Sequence, residues 1–235
     1  MNGHQNVKIR KISNIGLPTG LQMIFETGIF SAAIWISGVL GENQLSANQI
    51  ALNLASMTFM VANGLGITAM IRVGNQLGAK NYVNLRRVAF SVFLLVLCTQ
   101  VFFAGLLALL RAWLPSLYLE MDNIEKAATN AAVISEAGNL LLIAAIFQIS
   151  DGLQVTALGA LRGVQDAKIP MVITFIAYWL IAFPILCFLG LHTSLGTMGI
   201  WIGLLTGLTA AAICLLYRFN HISLRLIANR HKLPN

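Results

Sequence analysis

Residues 43–71 carry no Asp, Glu, Lys or Arg, and neither do residues 169–217. A backbone threaded through runs of that length must satisfy its own polar groups, because an apolar environment offers no water to do it. The runs are continuous rather than alternating in polarity, which favours helices over strands. Charged residues make up only 10% of the 235-residue chain, and mean hydropathy is +0.78. An ordinary globular chain has about 25% charged residues, and a water-soluble fold has no other way to cover its surface. The predicted fold class is an all-α polytopic membrane protein.

A helix needs about 20 apolar residues to cross a bilayer core. Spans are predicted at residues 13–39, 46–71, 88–112, 130–161, 169–190 and 196–217. The 169–217 run divides at the turn-forming cluster Leu191-His-Thr-Ser-Leu-Gly196. These six helices are expected to form one transmembrane bundle, residues 13–217, with a polar cytoplasmic stretch, residues 1–12, before it and a basic cytoplasmic tail, residues 218–235, after it. Residues 1–11 are polar and the first apolar run is long enough to span, so no cleavable signal peptide is expected.

Charge orients the bundle. Lys8, Arg10 and Lys11 precede the first span, Arg72, Lys80, Arg86 and Arg87 join the second to the third, and Arg162 and Lys168 join the fourth to the fifth. Arg218, Arg225, Arg230 and Lys232 follow the sixth. The opposite side has Glu42, Glu120, Asp122 and Glu125, with Arg111 and Lys126 as its basic residues. Cytoplasmic loops collect Lys and Arg, so both termini are expected in the cytoplasm. The net charge of +7 is thereby accounted for, and no nucleic-acid surface is expected. Cys98, Cys187 and Cys214 lie singly in apolar stretches and are expected to be buried thiols.

Gly199, Gly203 and Gly207 form a small-residue stripe on the sixth span, suited to close helix approach. Gly16 and Gly20 flank Pro18 in the first span, and Pro184 interrupts the fifth. A local echo links Ala69-Met-Ile-Arg72-Val-Gly74 with Gly159-Ala-Leu-Arg162-Gly163. Both are assigned to the generic need for Gly and Arg at a cytoplasmic helix end.

Two acids lie deep in apolar spans, Glu26 in the first and Asp151 in the fourth. An ionised carboxylate there costs roughly 2.5–3.5 kcal/mol on insertion scales. No basic residue occurs in a span interior, so an ion pair is not expected to offset that cost. Thr19, Gln22, Glu26 and Phe30 share one helical face, as do Phe147, Gln148, Asp151 and Gln154. Gln49, Asn53, Met57 and Met60 share a face of the second span. Together they are expected to line a wet cavity, with Gln22, Asn53, Phe147, Gln148 and Gln154 as substrate contacts. Its acids bind and release protons or, with amide oxygens, hold a small hard cation such as Na⁺. Glu136 is expected near interfacial water, and Asp166 is expected to pair with Arg162 or Lys168. Tyr178 and Trp179 are assigned to packing.

Enzyme chemistry is not expected. Gly74-Asn-Gln-Leu-Gly78-Ala-Lys80 lacks the Lys-Ser/Thr ending of a phosphate loop. His4, His192, His221 and His231 all lie outside span interiors, which argues against a haem or an intramembrane metalloprotease. No nucleotide site is apparent, so transport would draw on an ion gradient, with Na⁺ or H⁺ as coupling ion and no other cofactor.

The run Gly16-Leu-Pro18-Thr-Gly-Leu-Gln22-Met-Ile-Phe-Glu26-Thr-Gly-Ile-Phe30 resembles the seventh helix of a MATE (multidrug and toxic-compound extrusion) transporter. Gly38-Val-Leu-Gly41, Ala47-Asn-Gln49-Ile-Ala-Leu-Asn53 and Arg72-Val-Gly74-Asn-Gln-Leu-Gly78-Ala79 follow in the family's order. So do Phe147-Gln-Ile-Ser-Asp151-Gly-Leu-Gln154, Gly159-Ala-Leu-Arg162-Gly163-Val-Gln-Asp166, Tyr178-Trp179 and Gly199-Ile-Trp201-Ile-Gly203. The resemblance is to the carboxy-terminal six-helix lobe of the bacterial NorM-like branch. It implies cation-coupled antiport of bulky cationic or aromatic drugs across the bacterial inner (plasma) membrane. It also implies coupling-ion binding at Glu26 and Asp151, and a second six-helix lobe, in cis or in trans, across the drug cavity. Some relatives carry Tyr where this chain has Phe147, so the ring is kept and the hydroxyl ligand lost. On this resemblance the sequence is expected to be part of a longer protein, ahead of a half-size protein that dimerises or a remnant of a disrupted gene. A related lipid-linked oligosaccharide flippase is the nearest rival, and it would need basic groups in the cavity. A non-transporting accessory subunit or inert fragment is the other.

Overall fold

The computed structural model describes residues 2–119 and 127–230, with side chains for 13–119 and 127–229. Six long helices fill these stretches: α1 (Asn2–Leu40), α2 (Glu42–Gly78), α3 (Tyr82–Leu109), α4 (Ala127–Gly163), α5 (Lys168–His192) and α6 (Thr197–Arg230). A short 3-10 turn, Leu114–Tyr118, follows α3. Each helix has a segment apolar enough to cross a membrane, so the chain is a multi-pass membrane protein. Each of the six expected spans falls on one of these helices, with bounds within a few residues for most and extended at one end for α2 and α6. The expected boundaries at 12 and 217 fall inside α1 and α6, which run on helically across them. Glu120, Asp122, Glu125, Lys126 and Lys232, and the side chains of Lys8, Arg10, Lys11 and Arg230, lie outside the described residues.

The helices reverse direction at tight turns. Gly41 alone separates α1 from α2, at φ +140, where a built Cβ would lie 2.6 Å from the Gln44 amide oxygen. Only glycine fits there. Beyond Gly163, Gln165 adopts a left-handed conformation, φ 63. The Asp166 N–H bonds the Leu161 carbonyl at 2.9 Å. That closure satisfies one of the carbonyls the helix end leaves free and turns Asp166 away from α4. Asp166 meets the Arg218 Nε at 2.9 Å, so the expected pairing with Arg162 or Lys168 is overturned.

Lipid tails are as apolar as leucine, so burial alone does not drive these helices together, and close backbone approach matters more. α4 is the central helix, packed on α2, α3 and α6. It meets α2 so closely that a Cβ at Gly159 would lie 2.1 Å from the Gly66 carbonyl oxygen. The expected stripe on α6 works the same way against α5: Gly199 faces Leu189, Gly203 faces Leu186, and Gly207 faces Ala177 and Ala182. Gly16 and Gly20, by contrast, have no neighbour within 4 Å of a built Cβ. Of the three cysteines, Cys187 is partly buried while Cys98 and Cys214 are exposed on the protein's outer surface, contrary to the expectation of buried thiols.

α5 is not uniform. Residues Ile176–Ala182 form a π-helical segment, and the Phe183 N–H reaches back to the Tyr178 carbonyl. Pro184 follows immediately and has no N–H to donate, so the wide turn sits where α-helical bonding is already broken.

Candidate functional site

A cavity of about 550 Å³ opens between α1, α2 and α4. α1 contributes Gln22, Met23, Glu26, Thr27, Phe30 and Ile34. These recur at three- and four-residue steps, the repeat of one helical face. α2 contributes Gln49, Asn53, Ser56, Phe59 and Asn63 among others, and α4 contributes Phe147, Asp151, Val155, Leu158 and Arg162. The cavity therefore brings Glu26 and Asp151 into one space from two different helices. Glu26 is half-buried, and Asp151 is buried. Glu26 is within electrostatic reach of both Asp151 and Arg162.

Of the expected substrate contacts, Gln22, Asn53 and Phe147 line this cavity. Phe147 is held edge-on between Phe30 and Trp201, at centroid distances of 6.0 and 5.5 Å. The Trp201 Nε1 donates in turn to Asn48 Oδ1 at 2.9 Å. Gln148 and Gln154 do not line the cavity. The Gln148 amide turns to α3, where Gln100 Nε2 donates to the Gln148 carbonyl at 3.1 Å and Gln148 Nε2 donates to the Gln100 carbonyl at 3.4 Å. Gln154 turns to α5 and accepts from the Tyr178 hydroxyl at 2.6 Å. Two buried amides on a central helix thus serve helix packing, because each finds its partner on a neighbour other than α1 or α2.

On α2 the cavity face is Gln49, Asn53, Ser56 and Asn63; Met57 and Met60 lie on the outer surface, 64% and 68% exposed. The spacing of Ser56 and Asn63 from Gln49 and Asn53 was the signal that identifies them. Thr19 and Glu136 are likewise outside the cavity lining. Tyr178 is buried as packing requires, and Trp179 lies against Gly28 of α1, where a built Cβ would be 3.0 Å from its ring.

Arg162 is the main departure. It lines the cavity, and its Nη2 donates to Gln22 Oε1 at 3.2 Å. The expectation that no basic group faces the two acids is overturned. A Cα–Cβ bond on a helix tilts toward the N-terminus, so a residue at the last turn of α4 leans back into the bundle.

Six antiparallel apolar helices, three of which enclose a cavity lined by carboxyls, amides and apolar side chains, define a polytopic membrane protein. The MatE family model matches residues 18–188, and the chain belongs to this family. It is 37% identical over 94% of its length to a probable multidrug resistance protein NorM of Xylella fastidiosa, covering 45% of that protein. It is 39% identical over 96% of its length to a probable multidrug resistance protein NorM of Acinetobacter baylyi, covering 46% of it. The chain thus spans about half the length of the relatives it matches. A crystal structure of MATE in the bent conformation superposes with a TM-score of 0.83 at 14% identity, over 94% of this chain and 47% of that one. That likeness establishes the all-helical lobe fold.

Proposed function

We propose that this chain forms one six-helix lobe of a cation-coupled multidrug exporter, in which Na⁺ or H⁺ enters as a bulky cationic or aromatic compound leaves. The observation that carries this reading is the joint presence of Glu26 and Asp151 in one cavity beside Gln22, Asn53 and Phe147. Intramembrane acids are costly and persist where they bind something. Here Glu26 and Asp151 bind the coupling ion, and ion and drug compete for them as the lobe changes conformation. The opposing wall of the cavity comes from a second six-helix lobe, in cis or in trans. The relatives' names as multidrug resistance proteins support the substrate class.

The lobe sits in the bacterial inner membrane with both ends cytoplasmic. Arg72, Arg86, Arg87, Lys168, Arg218 and Arg225 cluster at the end where α1 begins and α6 finishes, which supports that orientation. The test is binding competition on the purified protein in detergent. A fluorescent cationic dye should bind and be displaced by Na⁺ or by acidification, and Asp151→Asn should bind dye without that sensitivity. Displacement that is unchanged in Asp151→Asn would remove the coupling assignment.

Arg162 is the one observation that favours the flippase reading, since a pyrophosphate carrier needs cavity cations. A single guanidinium facing two carboxyls is a poor clamp for a group of two or more negative charges, so the exporter reading is preferred.

A further inference from the structure

The guanidinium of Arg162 makes a single hydrogen bond among the described residues, to the neutral amide of Gln22. Its Nε is buried without a partner, and so is the Nε2 of Gln22, itself only 2% exposed. Among the described residues the one ion pair is Asp166 with Arg218, so the acid four residues from Arg162 is committed elsewhere. A guanidinium carries five donors in a planar fork matched to a carboxylate, and leaving it with one neutral acceptor at a membrane-spanning position is unfavourable. Gln22 is the residue one turn before Glu26 on α1, so the donors and the acid are separated by about 6 Å along that helix.

Resting on the exporter reading, we propose that Arg162 and Gln22 form an anion-recognising corner of the drug cavity and determine specificity for zwitterions. The compound taken would have a cationic group for Glu26 and Asp151 and a carboxylate for the Arg162 fork. One arginine beside two acids suits a single carboxylate better than a phosphate or pyrophosphate. Both residues line the cavity, and each keeps a nitrogen that is closed off from solvent without a protein partner. A carboxylate entering there accepts from the Arg162 guanidinium, and from the Gln22 amide once it turns toward the cavity, with charge-assisted bonds that an ester cannot match.

The test uses one scaffold with and without the carboxylate. Rhodamine B, which has a free carboxylate and a cationic xanthene, and its methyl ester are titrated against the purified protein in lipid-free detergent by fluorescence anisotropy. The expected result is about tenfold tighter binding of the acid than of the ester, with Arg162→Gln bringing that ratio close to one. Arg72→Gln, at an exposed arginine outside the cavity, should keep the wild-type ratio. Arg162→Lys provides a second reading should the Gln variant fail to fold, and its ratio should fall between the other two because the charge stays and the fork is lost. No preference in the wild type, or a ratio indifferent to both Arg162 variants, overturns the corner while leaving the exporter reading in place. Failure of both dyes to bind overturns both. Repeating the titration with added phosphatidylglycerol separates the sources of the anion: if the lipid abolishes the acid's advantage, the corner belongs to a headgroup and the zwitterion assignment falls.

Discussion

The hydroxyl of Tyr178 donates to Oε1 of Gln154 at 2.6 Å, tying the π-helical part of α5 to the centre of α4. Gln154 Nε2 already lacks a partner, so the amide's one tie is this bond. Tyr178→Phe should therefore cost about 0.6 to 1.7 kcal/mol, the range for buried polar contacts between membrane helices. Unfolding in mixed micelles reads it. In a cycle with Gln154→Leu, the two losses should fall short of adding, and strict additivity would mean the bond contributes nothing.

Gly159→Ala should be among the most damaging single-methyl changes in the protein. Its Cβ would fall 2.1 Å from the Gly66 carbonyl oxygen, which is backbone and has no rotamer in which to retreat. Gly16→Ala meets nothing within 4 Å, and should stabilise the helix by a few tenths up to about 1 kcal/mol. Detergent-solubilised yield and melting temperature of the two variants should move in opposite directions.

Asp151→Asn should leave folding intact. No Lys or Arg is in ion-pair contact with Asp151 among the described residues, so neutralising it strands no buried cation. Expression and melting temperature should match or exceed the parent, while ion-sensitive dye displacement is lost. A large drop in folded yield would instead mark Asp151 as a structural acid.

Asp166→Asn breaks the ion pair with Arg218, whose side chains are 17% and 30% exposed. Partly solvated pairs are worth about 0 to 1 kcal/mol, and salt screens them. The variant should lose no more than that at low ionic strength and less in 0.5 M salt, a concentration set here at roughly the point where the Debye length falls below 5 Å. Dye affinity should be unaffected, because Asp166 is outside the cavity.

Span number and approximate bounds were legible in the sequence because hydropathy acts residue by residue along the chain. The close approach at Gly199, Gly203 and Gly207 was legible for a similar reason, since a small-residue stripe advertises it, but the partner, α5, was not. The roles of Gln148 and Gln154 were not legible either. Three-residue steps put them on a face near Asp151, yet a central helix has a neighbour on every side, and the amides followed α3 and α5. Arg162 was missed because an arginine at a helix end looks like a topological signal. Its role depends on the left-handed Gln165, which sends Asp166 to Arg218 and leaves the guanidinium to α1. The π segment had a signal in Pro184, whose missing N–H marks where the helix loosens, though it does not specify a five-residue step.

α1 packs chiefly against α5, and the best 18-residue window of its span is only 17% buried, against 50% for α4 and 56% for α6. Its principal neighbour is thus made late in synthesis, after α2, α3 and α4 have entered the bilayer. Until α5 arrives, α1 lacks the Trp179 contact at Gly28, although the α2 and α4 walls of the cavity at Glu26 are already made. Completion of this lobe therefore waits on a long-range closure between α1 and α5, whereas the tight α2–α4 pair forms from segments made earlier. Variants that slow α5 should leave α1 waiting as the segment a membrane quality-control protease meets first.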